Sequence, residues 1–285
     1  MDLIVDNPFV PVLSASAVVA LVFAAAARLS GSRWAATLAA PVVFLVAYGV
    51  TYQKIPPFPP AGAANKIFWV ALFATAAAAG LEALGRVPRW ALPVLTALLA
   101  AGWIGSTKLA DPDSTTLILF ATLVVAGGLA LWGLDRIATL AAPFGGGAQA
   151  LAGLAAVSGL SAPTLLFGGS STGVGVCLGL SAGAALLSAE NLGARRILGS
   201  AAIMGAGGGL LAALDTIALV TRRADPFALA LIALAPFLGP WSVRLLPPAL
   251  QNRPLVAGLV SGLATLSPLP VIVALLFLRH DNPLG

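Results

Sequence analysis

The sequence predicts an all-α integral membrane protein, a polytopic bundle of about ten transmembrane helices, several of them kinked by proline or glycine. Three observations carry that prediction. Of the 285 residues 59% are hydrophobic and only 9% are charged, against about 45–50% apolar and about 25% charged in soluble domains. The mean hydropathy is +1.00. The apolar residues fall into runs of about 20, the length a helix needs to cross a hydrocarbon core about 30 Å thick. So few charges cannot cover a water-soluble fold, and so much apolar surface excludes intrinsic disorder.

The runs span residues 9–29, 34–53, 67–85, 90–107, 115–134, 147–167, 170–189, 197–220, 226–246 and 254–278. The first follows an acidic octet holding Asp2 and Asp6, with no basic segment ahead of it. It therefore reads as a retained span and not as a cleaved signal peptide. Trp34 and Trp90 stand at span ends, as interfacial anchors do. Prolines punctuate the loops at Pro56, Pro57, Pro59, Pro60, Pro88, Pro112, Pro247 and Pro248. Pro93, Pro163, Pro236, Pro240, Pro268 and Pro270 instead fall inside apolar runs, where each removes a helix hydrogen bond that neighbours must repair. The proline-rich connector between Lys54 and Lys66 reads as a stiff linker that limits loop entropy.

Charge gives orientation. The net charge is +5, but the basic residues stand singly or in pairs between apolar runs, so no nucleic-acid tract is present. With the N-terminus outside, Arg28, Arg33, Arg86, Arg89, Arg136, Arg195, Arg196, Arg244 and Arg253 face the cytoplasm. Lys54, Lys66, Lys108, Arg222, Arg223 and Arg279 face outward. Nine against six favours both termini on the periplasmic side. Twelve arginines to three lysines, with abundant alanine and glycine, point to a bacterial inner membrane.

Glycine divides the chain into two helical halves of one membrane domain, residues 1–143 and 144–285, which hold 10 and 21 of the 31 glycines. Each half supplies about five spans, an arrangement that fits an inverted repeat by span count alone. Gly175, Gly179 and Gly183 in one span, Gly205 and Gly209 in the next, and Gly258 and Gly262 in the last recur at a spacing of four. That spacing places them on one helix face, for close helix packing or for a homo-oligomer contact.

Ionisable groups inside lipid are costly and mark functional positions. Asp215 is the clearest, because it lies well inside the eighth run; Arg222, two turns on, would have to reach back to pair with it. Glu82, Glu190 and the Asp135–Arg136 pair lie near span ends and read as solvated. The stretch Gly168, Gly169, Ser170, Ser171, Thr172 and Gly173 has two readings, a short surface turn or a re-entrant turn lining a ligand path. It lacks the lysine of a phosphate loop. One cysteine, Cys177, and one histidine, His280, support neither a disulfide, a metal site nor a catalytic triad. No cofactor and no enzymatic activity are expected.

The expected function is a permease-like transporter of a small solute. The alternative is a non-catalytic scaffold or assembly subunit of a membrane complex. The expected partners are the lipid bilayer, a small solute, and a second copy or a membrane-complex partner.

Overall fold

The computed structural model describes residues 7–85, 90–140, 145–192, 198–251 and 253–279. Asp2, Asp6, Arg86, Pro88, Arg89, Arg195, Arg196 and His280 lie outside the described residues. Among the described residues every regular element is helical: α1 (Val10–Ser30), α2 (Arg33–Tyr52), α3 (Ala63–Ala83), α4 (Ala91–Ile104), α5 (Ser114–Leu140), α6 (Gly146–Phe167), α7 (Ser171–Asn191), α8 (Ser200–Asp215), α9 (Pro226–Arg244), α10 (Pro248–Gln251), α11 (Pro254–Leu266) and α12 (Leu269–Arg279). A π-helical turn, Thr216–Val220, continues α8. Among the described residues nine helical stretches are long and apolar enough to cross a membrane, with α11 and α12 counted as one.

Two of the ten expected spans are modified. α4 has 14 residues, about 21 Å of helix, and stops where Gly105 opens a turn whose carbonyl accepts from the Lys108 and Leu109 amides. The last run breaks at Ser267 and Pro268 into α11 and α12, as proline dictates. Pro163, Pro236 and Pro240 stay inside continuous helices, and so does Pro41.

The centre of the bundle belongs to α6 and α8. Their most apolar windows are 78% and 83% buried, against 28% for α1, α3 and α9. Both helices are alanine and glycine nearly all round, so neighbours approach on every side. Between helices in lipid, close van der Waals packing replaces the hydrophobic drive, and small residues permit it. α8 packs against α2, α3, α4 and α5, while α6 packs against α5, α7, α9, α11 and α12. α7 lies against α1 and α2. The two halves therefore interlock.

Most of the predicted glycine stripes are spent within the chain. A Cβ at Gly179 would stand 2.8 Å from Ala47, Ser16 and Val12, and one at Gly183 would collide with Val43. Gly205 abuts Pro41 and Thr75, and Gly209 abuts Phe44 and Ala71. Gly175 is looser, with Thr51 at 3.1 Å. Gly258 meets only the far end of Leu192, and Gly262 has ordinary space at 3.8 Å from Ala152. The faces of α7 and α8 that carried the homo-oligomer alternative are thus covered by α1, α2 and α3 of the same chain. Gly207 and Gly208, outside the four-residue rhythm, are equally tight against Leu131 and Thr96.

The helix ends form two polar rims. The near end holds Phe9, residues 53–62, 105–113, 168–170 and 221–225, and the end of α12. There the proline connector folds down on α3: the Trp69 indole donates to the Pro57 carbonyl at 3.2 Å, and Phe58 packs edge-on to Trp69. The far end holds residues 31–32, the N-terminus of α8, residues 245–251 and residue 253.

Candidate functional site

Asp215 closes the regular part of α8 at 4% exposure. Seven residues before it, Gly208 faces Thr96 and Ala74; four after it, Leu219 lies against Gly105. Asp215 shares that face of α8, towards α3 and α4. Directly beyond it the backbone widens into the π-helical turn, with the Thr221 amide donating five residues back to Thr216 at 3.2 Å. Such turns inside helices recur at functional positions. No side chain among the described residues donates to or pairs with the Asp215 carboxyl.

Arg222 does not reach back to Asp215. Its guanidinium turns to the start of α5, bonding Thr116 Oγ1 at 2.7 Å and pairing with Asp113 at 3.4 Å. Asp113 also accepts from the Thr116 amide at 2.8 Å as the N-cap of α5. These Thr116 bonds, reinforced by Arg222, hold its carboxyl below the usual aspartate range. Nearby, Asp225 caps α9 by accepting from the Phe227 and Ala228 amides at 2.8 and 3.0 Å. Its other oxygen accepts from Arg279 of α12 at 3.0 Å. Lys66 of α3 donates to the Trp103 carbonyl and to Ser106, both at 2.8 Å. The Thr172 hydroxyl donates to Tyr52 at 3.2 Å. The near end is thus tied across α2–α7, α3–α4, α5–α8 and α9–α12.

The stretch Gly168–Gly173 is one of these closures, a turn and not a re-entrant loop. The Ser170 amide donates to Leu165 O and the Gly169 amide to Leu166 O, with Gly169 at a φ of +80°. That left-handed residue between two crossed bonds is the Schellman ending of a helix, and it requires glycine. Ser170 then caps α7 by accepting from the Gly173 amide at 3.1 Å. Ser171 and Thr172 open that helix. The Gly168, Gly169 and Ser170 amides all donate to the last turn of α6.

At the far end two acids, Glu82 and Asp135, depart from the solvated reading, while Glu190 keeps partial exposure in an ion pair. Glu82, half-buried, accepts from the Ala201 amide at 3.2 Å and so caps α8 from α3. Gly199 beside it has no room for a Cβ because the carboxylate fills that space. Glu190 pairs with Arg28 across α1 and α7. Asp135 is buried at 1% exposure, while Arg136 swings away to lie over the Trp132 ring, 5.4 Å from its centroid.

No protein-family model, curated protein or solved structure matches the chain.

Two sizeable cavities flank the core. One, about 400 Å³, lies between α6, α7 and α12 and is walled by apolar groups such as Pro163, Phe167 and Phe277. The other, about 570 Å³, opens at the far end between α5, α6, α9 and α10. Trp132, Phe237 and Trp241 wall it, and Arg136, Gln149 and Arg244 face it. The sequence reading missed this second site. Its signal was local: Trp132 and Arg136 are four apart, and Phe237, Trp241 and Arg244 are four and three apart, each set on one helix face.

Proposed function

We propose that the protein is a permease-like transporter of a small solute, with Asp215 as the residue that couples transport to a proton or cation. One observation carries this reading: a buried carboxyl without a partner among the described residues, on the central helix, immediately ahead of a π-helical turn. The ties at the near end support it, since they close that end as an alternating-access carrier must close one side. In the orientation set by the arginine distribution, the near end is periplasmic and the far end faces the cytoplasm of a bacterial inner membrane.

Flux of protons or solute into proteoliposomes tests the reading. Uptake that requires the protein and is lost in Asp215→Asn supports it. Equal flux with and without protein overturns it, and unchanged flux in Asp215→Asn removes Asp215 from the coupling role.

The close glycine packing of α7 and α8 favours a second reading, a non-catalytic scaffold of a membrane complex. Purification in mild detergent separates the two, because a scaffold brings stoichiometric partners and a carrier does not need them.

A further inference from the structure

The far-end cavity combines features that no packing role explains. Gln149 is 3% exposed overall and lines the cavity, and no side chain among the described residues bonds its amide, which borders the open space. An amide held at the cavity wall with no protein group bonded to it is free to donate to a polar group inside the cavity. Arg136 and Arg244 face the same space, and neither pairs with a carboxylate among the described residues. Gln251 donates to the carbonyls of Arg244 and Leu246 at 3.3 and 2.6 Å, which fixes the backbone that carries Arg244.

The ligand class follows from this lining. Two guanidiniums repel a cation and are left without counter-charge by a neutral ligand. An oxyanion satisfies both, since arginine matches carboxylate and phosphate geometry. The remaining wall is aromatic and apolar, so the ligand also carries an apolar part. Depth agrees: Arg136 stands four residues from the end of α5, about 6 Å along the axis, Gln149 lies in the first turn of α6, and Arg244 ends α9. This is the level at which helix ends meet lipid headgroups, where basic pockets between helices hold acidic ones.

We propose that this cavity binds an anionic amphiphile, a phosphate or carboxylate headgroup on an apolar chain. The guanidiniums of Arg136 and Arg244 hold the acid, the Gln149 amide donates to it, and Trp132, Phe237 and Trp241 enclose the start of the chain. The assignment does not rest on the transport reading, because binding is measured without flux.

The test titrates purified protein in an uncharged detergent with dodecyl phosphate, following indole fluorescence. Dodecylphosphocholine and inorganic phosphate serve as comparison ligands. Dodecyl phosphate is expected to bind at least about tenfold more tightly than either, the weight of one lost charge-assisted contact. Arg136→Gln with Arg244→Gln, both at exposed side chains, is expected to remove that preference, and Gln149→Leu to weaken binding while leaving thermal stability intact or raised. Competition by phosphatidylglycerol in nanodiscs identifies a bilayer lipid as the source; binding of dodecyl phosphate without such competition identifies a soluble amphiphile. Equal affinity for the phosphocholine, inorganic phosphate binding as tightly as the amphiphile, or unchanged binding in the double arginine variant overturns the proposal.

Discussion

The core around α8 and the cavity between α5, α6 and α9 are built from the same kind of chain with opposite results. Around α8, Gly205, Gly207, Gly208 and Gly209 leave no space for a methyl group against α2, α3, α4 and α5. Between α5 and α9 the facing residues are large or rigid. Phe237 presses its ring on Gly133, 3.0 Å from where a Cβ would sit, and Pro236 and Pro240 interrupt the hydrogen bonding of α9. Small residues let helix backbones meet, whereas aromatic and proline residues hold them apart. The gap they leave is lined with guanidiniums and an amide. Packing and binding capacity are therefore divided between helices that share the buried α6.

The largest expected effect tests the tight region. Gly209→Val, pressed against Phe44 and Ala71, should destabilise by on the order of 3 kcal/mol, read as loss of the monodisperse peak or a large fall in melting temperature in detergent. A variant as stable as the parent would mean that α8 is not packed as described. Next, Asp225→Ala removes the α9 cap and strands Arg279, and should cost about 2 kcal/mol. Asp225→Asn should keep the cap and recover part of it.

Gln149→Leu should act in the opposite direction in the cavity. Replacing an amide that no protein group bonds, at a site 3% exposed, by an apolar group is expected to stabilise by up to about 1 kcal/mol when no amphiphile is present. A loss of stability there would show that the amide has a structural partner. Smaller still, Gly262→Ala meets only Ala152 at an ordinary 3.8 Å and should stabilise α11 by roughly 0.5 kcal/mol through helix propensity. Equal damage at Gly262 and Gly209 would erase the contrast between them.

The smallest effect is electrostatic. The Asp113 carboxyl titrates lower folded than unfolded, so its contribution is fully present above the unfolded value. It is lost as pH falls through the folded one. The stability difference between the parent and Asp113→Asn should therefore vanish in acid and stay constant from weakly acidic to neutral pH. A difference that grows on acidification would contradict the pairing.

Much of this architecture was legible because its signals are local. The apolar runs, the break at Pro268 and the burial of the glycine-rich helices all follow from periodicity and residue size. The turn at Phe167–Ser170 was legible only as one of two readings, although two glycines followed by a serine are residues that can end one helix and cap the next. The acids were less so. Glu82 caps a helix that begins more than a hundred residues later, and Arg222 chooses Asp113 over Asp215 across a comparable separation. Such pairings depend on which helices become neighbours, which no spacing within either segment encodes. Asp135 and Arg136 show the same limit: adjacent in sequence, they lie on different faces of α5, one in the core and one in the cavity.

The division between a dry α8 core and a solvated cavity beside α6 is tested most directly by cysteine accessibility. In a Cys177→Ala background, Gln149→Cys and Ala212→Cys are each exposed to a membrane-impermeant maleimide, in intact cells and in inverted vesicles. Gln149→Cys should label in inverted vesicles only, because its cavity opens at the end proposed to face the cytoplasm. Ala212→Cys, at 0% exposure on α8, should label in neither. Labelling of Ala212→Cys, or none of Gln149→Cys from either side, would contradict the account.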